Sequence, residues 1–336
     1  MLLRLLLLCF ISFFLVSCSD NTNLSNKVVL QGKTMGTSYH ITLVASQKDL
    51  NKQTQAVLQS EIDELLIDIN NKMSTYQSDS EISLFNANPS LNWIPISKDF
   101  YHVVDRALSI SKLSKGYFDI TISPLVDLWG FGPKIKVKTP TKQDIDLIMS
   151  SIGYQKLKVD ESQYALKKKD PLLKIDLSSI AKGYAVDKVS EYLSSRSIDN
   201  HLVEIGGEVQ AKGKNPSGKK WRIAIENPET ETRTLNSTIE LNNTGVATSG
   251  DYRNYYVENN ERLSHIIDPK TGHPINHKLA SVTVINDSTM LADAWATTLM
   301  VLGEEKGKEL VLEQDLSVQM IIRNDNRFST WKNKIP

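Results

Sequence analysis

Residues 174–213 read KIDLSSIAKGYAVDKVSEYLSSRSIDNHLVEIGGEVQAKG. Residues 172–176 run into this stretch like a strand. From about 179 to 195, Ile180, Tyr184, Ala185, Val189, Tyr192 and Leu193 recur at helical spacing and line an inner face. Residues 202–205 and 209–212 then read as strands around the Gly206/Gly207 pair, a hairpin by composition. Strand candidates continue at 221–226, 238–241, 246–249, 255–258, 264–267 and 281–285. A βαβ winding would set a helix between successive strands. Strands segregated from helices predict instead an α+β fold with mixed or antiparallel sheets and packed helices.

Working outward, helices are expected from about 289 to 302 and on to about 314, with a late strand at 318–322. On the other side, 28–30 and 39–44 read as strands. Leu58, Ile62, Leu65, Leu66 and Ile69 mark an amphipathic helix, and Val103, Val104, Ala107, Leu108 and Ser111 a second. Thr141 after Pro140 is an N-cap for a short helix ending near 151. Residues 156–159, 164–168 and 172–176 read as a meander. No linker interrupts 28–336, so this body is one unit or two intimate lobes. The chain has 336 residues with 39 basic and 39 acidic side chains, and 40% of it is apolar. That apolar fraction excludes a disordered chain, and the balanced charge removes the electrostatic case for a nucleic-acid partner.

Both cysteines, Cys9 and Cys18, fall near the start, so the body has neither a disulfide framework nor a thiolate zinc site. Arg4 precedes an apolar run from Leu5 to Val16, shorter than the ~20 residues that span a bilayer. Leu15-Val16-Ser17-Cys18 resembles a bacterial lipobox. The expectation is a signal peptide over 1–17, a lipidated (palmitate-bearing) Cys18, and a polar tether over 18–27. The protein would then be anchored on the periplasmic side of a bacterial cell membrane, the inner membrane being favoured over the outer. More than one acyl chain makes such an anchor stable.

Several segments carry possible chemistry. Asp293 and Thr297 stand four apart on a predicted helix and share one face. A carboxylate and a hydroxyl together suit Mg²⁺, which commonly takes one or two carboxylates plus waters and phosphates; a solvated helix-start Asp is the alternative. Asp176, Ser178 and Ser179 sit where a strand meets a helix, with Lys182 one turn in, an arrangement that serves either capping or phosphate binding. Residues 116–132 mix aromatics and glycines, which suits either a flat ring or a hydrophobic corner. His265 stands at the end of a strand, before a D-P-K-T-G turn, as either a general base or a structural histidine. The spacing of His265, His273 and His277 fits no standard zinc pattern. No G-x-S-x-G elbow and no Walker loop are present.

In order along the chain, MGTSYHIT (35–42), MSTYQSDSEISLFN (73–86), FDITISPLVDLWGFG (118–132), DLSSIAKGYAVDKV (176–189), IGGEVQAKG (205–213), TSGDYRNYY (248–256), SHIIDPKTGHPI (264–275) and ADAWATTLMVLG (292–303) resemble the motifs of the ApbE family of FAD:protein FMN transferases. The resemblance covers nearly all of 28–336. It implies an ApbE-like catalytic domain that uses Mg²⁺ to move FMN from FAD, its substrate, onto a Ser or Thr hydroxyl of an acceptor protein through a phosphodiester, releasing AMP. Implied acceptors are flavin-carrying subunits of sodium-pumping NADH:quinone oxidoreductase or Rnf-type complexes. Carried over by position, Met35, Tyr76, Tyr117, Phe118, Asp119, Asp176, Lys182 and Ile267 bind FAD. Ser179, Asp293 and Thr297 hold the metal, and His265 and Asp293 serve catalysis. Some members have an acidic residue where this chain has Ala296, which implies a leaner metal shell.

Two rivals use the same residues: Mg²⁺-dependent FAD hydrolysis to FMN and AMP, and a non-catalytic FAD-binding lipoprotein. The lipobox makes its own prediction. Cys18→Ala should abolish incorporation of labelled palmitate and move the protein out of the membrane fraction on cell fractionation.

Overall fold

In the computed structural model of the protein, residues 26–45, 50–133, 139–228, 235–252, 255–258, 261–324 and 327–335 are described. The signal peptide, Cys18 and most of the expected tether lie outside them. The chain opens on a hairpin, β1 (Asn26–Thr34) and β2 (Thr37–Ala45), turning at Met35 and Gly36. Helices α1 (Lys52–Met73), α2 (Glu81–Ala87) and α3 (Lys98–Leu113) follow, with the short strand β3 (Trp93–Pro95) before α3. Next come α4 (Ser123–Leu128), α5 (Lys142–Met149), β4 (Leu157–Asp160) and β5 (Ala165–Lys168). Helix α6 (Ala181–Ser195) leads into β6 (His201–Ile205), β7 (Glu208–Lys212), β8 (Trp221–Glu226), β9 (Leu235–Leu241), β10 (Gly245–Gly250), β11 (Tyr255–Glu258), β12 (Glu261–Ser264) and β13 (Leu279–Asn286). Helix α7 (Thr289–Glu313) and strands β14 (Ser317–Asn324) and β15 (Arg327–Asn333) close the fold.

One eight-stranded sheet, ordered β1-β2-β6-β7-β10-β13-β14-β15, carries the architecture, and every strand pairing is antiparallel. The fold is α+β, as the segregated strands predict. Period-2 alternation gives the sheet two apolar faces. Ile41, Leu43, Val203, Ile205, Ala247, Val318 and Met320 join the large core with the helices. Val44, Val209, Ala211, Val246 and Ile321 pack on the other side against Trp221, Ile225, Ile239 and Leu241 of the β8–β9 hairpin. A third cluster holds Leu125, Trp129, Ile145, Ile152 and Ile267.

The expected helices form where periodicity places them. α1 buries Leu58, Ile62, Leu66 and Ile69, and α3 buries Val103, Val104 and Ala107. Thr141 caps α5 in a full capping box with Asp144. α7 breaks at Gly303, whose φ of 75° and ψ of −171° no helix accommodates, so the two expected helices are one broken rod. The meander departs from expectation at 172–176, which is not a strand. The Asn86 side-chain amide donates to Ile175 O at 2.8 Å and accepts from Ile175 N at 2.8 Å, occupying the groups a neighbouring strand would have used. β3 completes that small sheet instead, in the order β3-β5-β4.

Helices α6 and α7 cap each other. Asp187, in the second turn of α6, accepts from Thr289 N (2.8 Å) and Met290 N (3.0 Å) at the start of α7. Asp293, in the second turn of α7, accepts from Gly183 N (3.1 Å) in the first turn of α6. Each carboxylate satisfies backbone donors that its partner helix leaves open and meets the positive end of that helix dipole. The contact requires glycine. A Cβ at position 183 would lie 2.7 Å from Met290 Cα and closer still to the Thr289 carbonyl oxygen. Gly183→Ala should therefore cost about 1–3 kcal/mol, the usual scale of overpacking, read from urea unfolding.

A buried pair ties α6 to the sheet: Ser190 and His201 Nε2 are 2.8 Å apart, and His201 Nδ1 is 2.7 Å from Ile198 O. A carbonyl only accepts, so Nδ1 carries the proton and Nε2 accepts from the hydroxyl. Burial lowers the imidazole from 6.5 to about 4. The unfolded chain binds this proton first, so the stability contributed by neutral His201 is complete above 6.5 and is lost as pH falls toward 4. A shift of that size is worth up to about 3 kcal/mol. The urea midpoint of His201→Asn should accordingly fall less between pH 6.5 and 4 than that of the wild type.

Candidate active site

Strand register brings the sequence candidates to one end of the sheet. Tyr39 pairs with Ile205, Ile205 with Glu208, and Val209 with Val246. The Met35/Gly36 turn, the Gly206/Gly207 turn and the end of β10 at Ser249 therefore share that end. Met35 holds a φ of 49°, a left-handed conformation uncommon outside glycine.

Over this end lie the starts of α6 and α7. Asp293 is 2% exposed. Its Oδ2 takes the Gly183 N–H, and its Oδ1 stands 3.7 Å from Lys182 Nζ. Lys182 donates to Glu208 Oε1 at 2.7 Å, while Glu208 Oε2 is buried and accepts no hydrogen bond among the described residues. Two buried carboxylates thus face one ammonium. Burial raises the Asp293 carboxyl against the opposing pull of Lys182 and the Gly183 N–H. Burial also pushes Glu208 up to about 7, opposed by Lys182 and reinforced by the Asp293 charge. Lys182 goes up in turn, because the two carboxylates outweigh the effect of its own burial. One turn beyond Asp293, Thr297 Oγ1 lies 3.3 Å from Ser249 Oγ of β10.

These groups fit a hard divalent cation. The donors are carboxylate and hydroxyl oxygens, and the buried charge is short of positive partners, as the orphaned Glu208 oxygen records. Among the described residues no cluster of three or more His, Cys, Asp or Glu gathers. The residues described would therefore supply such a cation with only part of its ligands. Ala296 is fully buried beside Trp295. Ser179 lies half-buried in the turn before α6, whose N-cap, Ile180, offers no side-chain bond. Asp176, placed by sequence at a helix cap, instead accepts from Ser178 N (2.7 Å) and ties its own N–H to Ile120 O (2.8 Å). Asp293 provides the inter-helix cap.

A second group centres on Phe131. The Tyr256 ring lies 5.2 Å from it at 31°, and the His265 ring 6.3 Å away, edge-on. Tyr76, 70% exposed, donates its hydroxyl to Phe131 O at 3.3 Å, and Tyr256 donates to Trp129 O at 3.2 Å. Burial and the charges of Asp176 and Asp127 raise the Tyr76 phenol. Tyr76 and His265 therefore border one aromatic surface. Phe131, from the aromatic and glycine-rich segment 116–132 that the sequence offers for a flat ring, builds it with Tyr256, the last residue of the 248–256 motif. Asp251 links this region to β10: it accepts two bonds from Arg323, at 2.6 and 2.8 Å, and Arg262 donates to its carbonyl.

The remaining candidates make the following contacts within the protein. Phe118 is buried in the large core and its N–H bonds Ser114 Oγ at 3.0 Å. Asp119 accepts from Thr121 N and Oγ1 on one oxygen and from Tyr154 N on the other. Tyr117 accepts from Lys306 Nζ at 3.1 Å, with the Lys270 ammonium 5.7 Å from its ring. Ile267 is buried against Trp129. Of the other histidines, His273 lies 5.7 Å from the Trp129 ring, and His277 Nε2 donates to Met300 O at 2.7 Å.

The model of the ApbE family matches residues 35–322. The chain is 44% identical over 327 residues to an FAD:protein FMN transferase of Haemophilus influenzae, covering 94% of this chain and 91% of that protein. Among solved structures, the flavin transferase ApbE from Vibrio cholerae superposes with a TM-score of 0.84 at 41% identity, covering 92% of this chain and 98% of that one. The apo form of the flavinyl transferase ApbE from Pseudomonas stutzeri gives 0.83 at 38% identity, covering 92% and 95%.

Proposed function

The chain belongs to the ApbE family, and on that footing we propose that it is a Mg²⁺-dependent FAD:protein FMN transferase that moves FMN from FAD to a Ser or Thr hydroxyl of an acceptor protein and releases AMP. The observation that carries this reading is the pairing of Asp293 and Thr297 on one helix face, where the carboxylates of Asp293 and Glu208, both buried, share the single ammonium of Lys182. Asp293 and Thr297 would hold the cation, with Ser249 of β10 3.3 Å from Thr297 and Ser179, in the turn before α6, as a further ligand. When bound, Mg²⁺ neutralises charge at the split pyrophosphate.

The rest is done by side chains. Lys182 offers an ammonium to the phosphates at the start of α6, where the positive end of the helix dipole also favours anions. Tyr76, Phe131 and Tyr256 offer ring faces to the flavin. His265, at the edge of that surface, accepts the proton of the acceptor hydroxyl as its oxygen bonds to the FMN phosphorus and the phosphoanhydride bond to AMP breaks. We also propose a palmitate-bearing Cys18 and a periplasmic, membrane-anchored location. The acceptors would then be flavin-carrying subunits of sodium-pumping NADH:quinone oxidoreductase or Rnf-type complexes.

The test incubates the protein with FAD, Mg²⁺ and such a subunit and weighs the subunit by mass spectrometry. An added FMN mass and free AMP are expected, and a chelator should abolish both. Asp293→Asn, which keeps an oxygen to accept from Gly183 N, should lower the rate by ~10²-fold or more while far-UV circular dichroism stays unchanged. FMN and AMP released without any mass added to the subunit would replace transfer by hydrolysis.

A further inference from the structure

Glu208 lies on no list of expected site residues, yet the geometry gives it a task. It stands at the first position of β7, and Gln210 shares its side of the strand, while Val209 and Ala211 pack into the core on the opposite face of the sheet. Gln210 is satisfied by Thr289 Oγ1 at 2.8 Å. Glu208 is satisfied on one oxygen only, by Lys182, and its other oxygen is buried without a hydrogen bond among the described residues. A half-satisfied buried carboxylate is a poor stabilising device, because desolvation offsets the attraction to its partner. Its effect is on where the ammonium sits: 2.7 Å from Glu208 and 3.7 Å from Asp293. Lys182 is a point charge on a flexible stem, whereas Glu208 is fixed by the sheet.

We infer that Glu208 is a positioning residue: it holds the Lys182 ammonium off Asp293 and so keeps the Asp293 Oδ1 open to the cation. The inference rests on the reading of Asp293 as a cation-holding carboxylate. Without the charge on Glu208, Lys182 closes on Asp293 and competes with the metal for the same oxygen.

The test follows Mn²⁺ binding by electron paramagnetic resonance, on the full chain with saturating FAD and no acceptor. Glu208→Gln should raise the Mn²⁺ half-saturation about tenfold, the scale of a supporting residue beyond the direct ligands. Lys182→Met should lower it, since the competing cation is gone. Glu208→Gln in the Lys182→Met background should then change it by less than about threefold, because the competitor is absent. Unchanged Mn²⁺ binding by Glu208→Gln would overturn the inference. So would weaker binding by Lys182→Met at an FAD occupancy shown by flavin fluorescence to equal that of the wild type, which decides the matter even if Glu208→Gln does not fold. An undiminished tenfold loss in the double variant would overturn it too, by making Glu208 act on the cation directly. Asp293→Asn tests the underlying reading separately: wild-type Mn²⁺ binding there removes the cation site itself, whatever Glu208 does.

Discussion

The site depends on the contact between the starts of α6 and α7. Two helix N-termini, each a small positive pole, are brought together, and each is answered by a carboxylate from the other helix. Such an arrangement would repel itself without Asp187 and Asp293, and it could not close without the missing side chain at Gly183. One consequence is functional. The carboxylate that caps α6 is the same group that faces Lys182 and precedes Thr297 by a turn, so folding and site assembly are one event.

The electrostatics follow from that geometry. Asp293 spends one oxygen on a backbone N–H and keeps the other directed toward the charged cluster. Glu208 and Lys182 add one charge of each sign at short range. With both carboxylates ionised the cluster carries an excess negative charge, in surroundings where desolvation raises both acids. A cation relieves this more fully than any rearrangement of the protein groups present. At the other end, Phe131 gathers Tyr76, Tyr256 and His265 into a surface that is aromatic without being closed. A charged, oxygen-rich end and a flat aromatic end suit a ligand that carries a diphosphate and a ring system.

Much of this was legible in the sequence, for physical reasons. Apolar side chains at helical spacing located α1, α3 and α6, and Thr141 announced the start of α5 through its own hydroxyl. The spacing of Asp293 and Thr297 put them on one face of a helix that is buried nearly all round. What escaped were interactions across the chain. Residues 172–176 look like a strand, and only the Asn86 amide, far away in sequence, explains why they pair with no neighbour. Glu208 looks like the outward position of a hairpin strand; here the helix-facing side of β7 carries the polar groups and the opposite face the apolar ones. A glycine inside α6 reads as a local weakness until Thr289 and Met290 are seen against it. Local pattern located Asp293 and Thr297 but not the long-range contacts around them, as expected where packing rules yield to chemistry.

The most direct test of a cation between Asp293 and Thr297 is an anomalous difference map from crystals of the protein grown with FAD and Mn²⁺, recorded at the manganese edge. The account predicts a single strong peak bonded to Asp293 Oδ1 and Thr297 Oγ1, touching the FAD diphosphate, with the Lys182 ammonium still on Glu208. A peak bonded to other groups, with Asp293 closed onto Lys182, would contradict it.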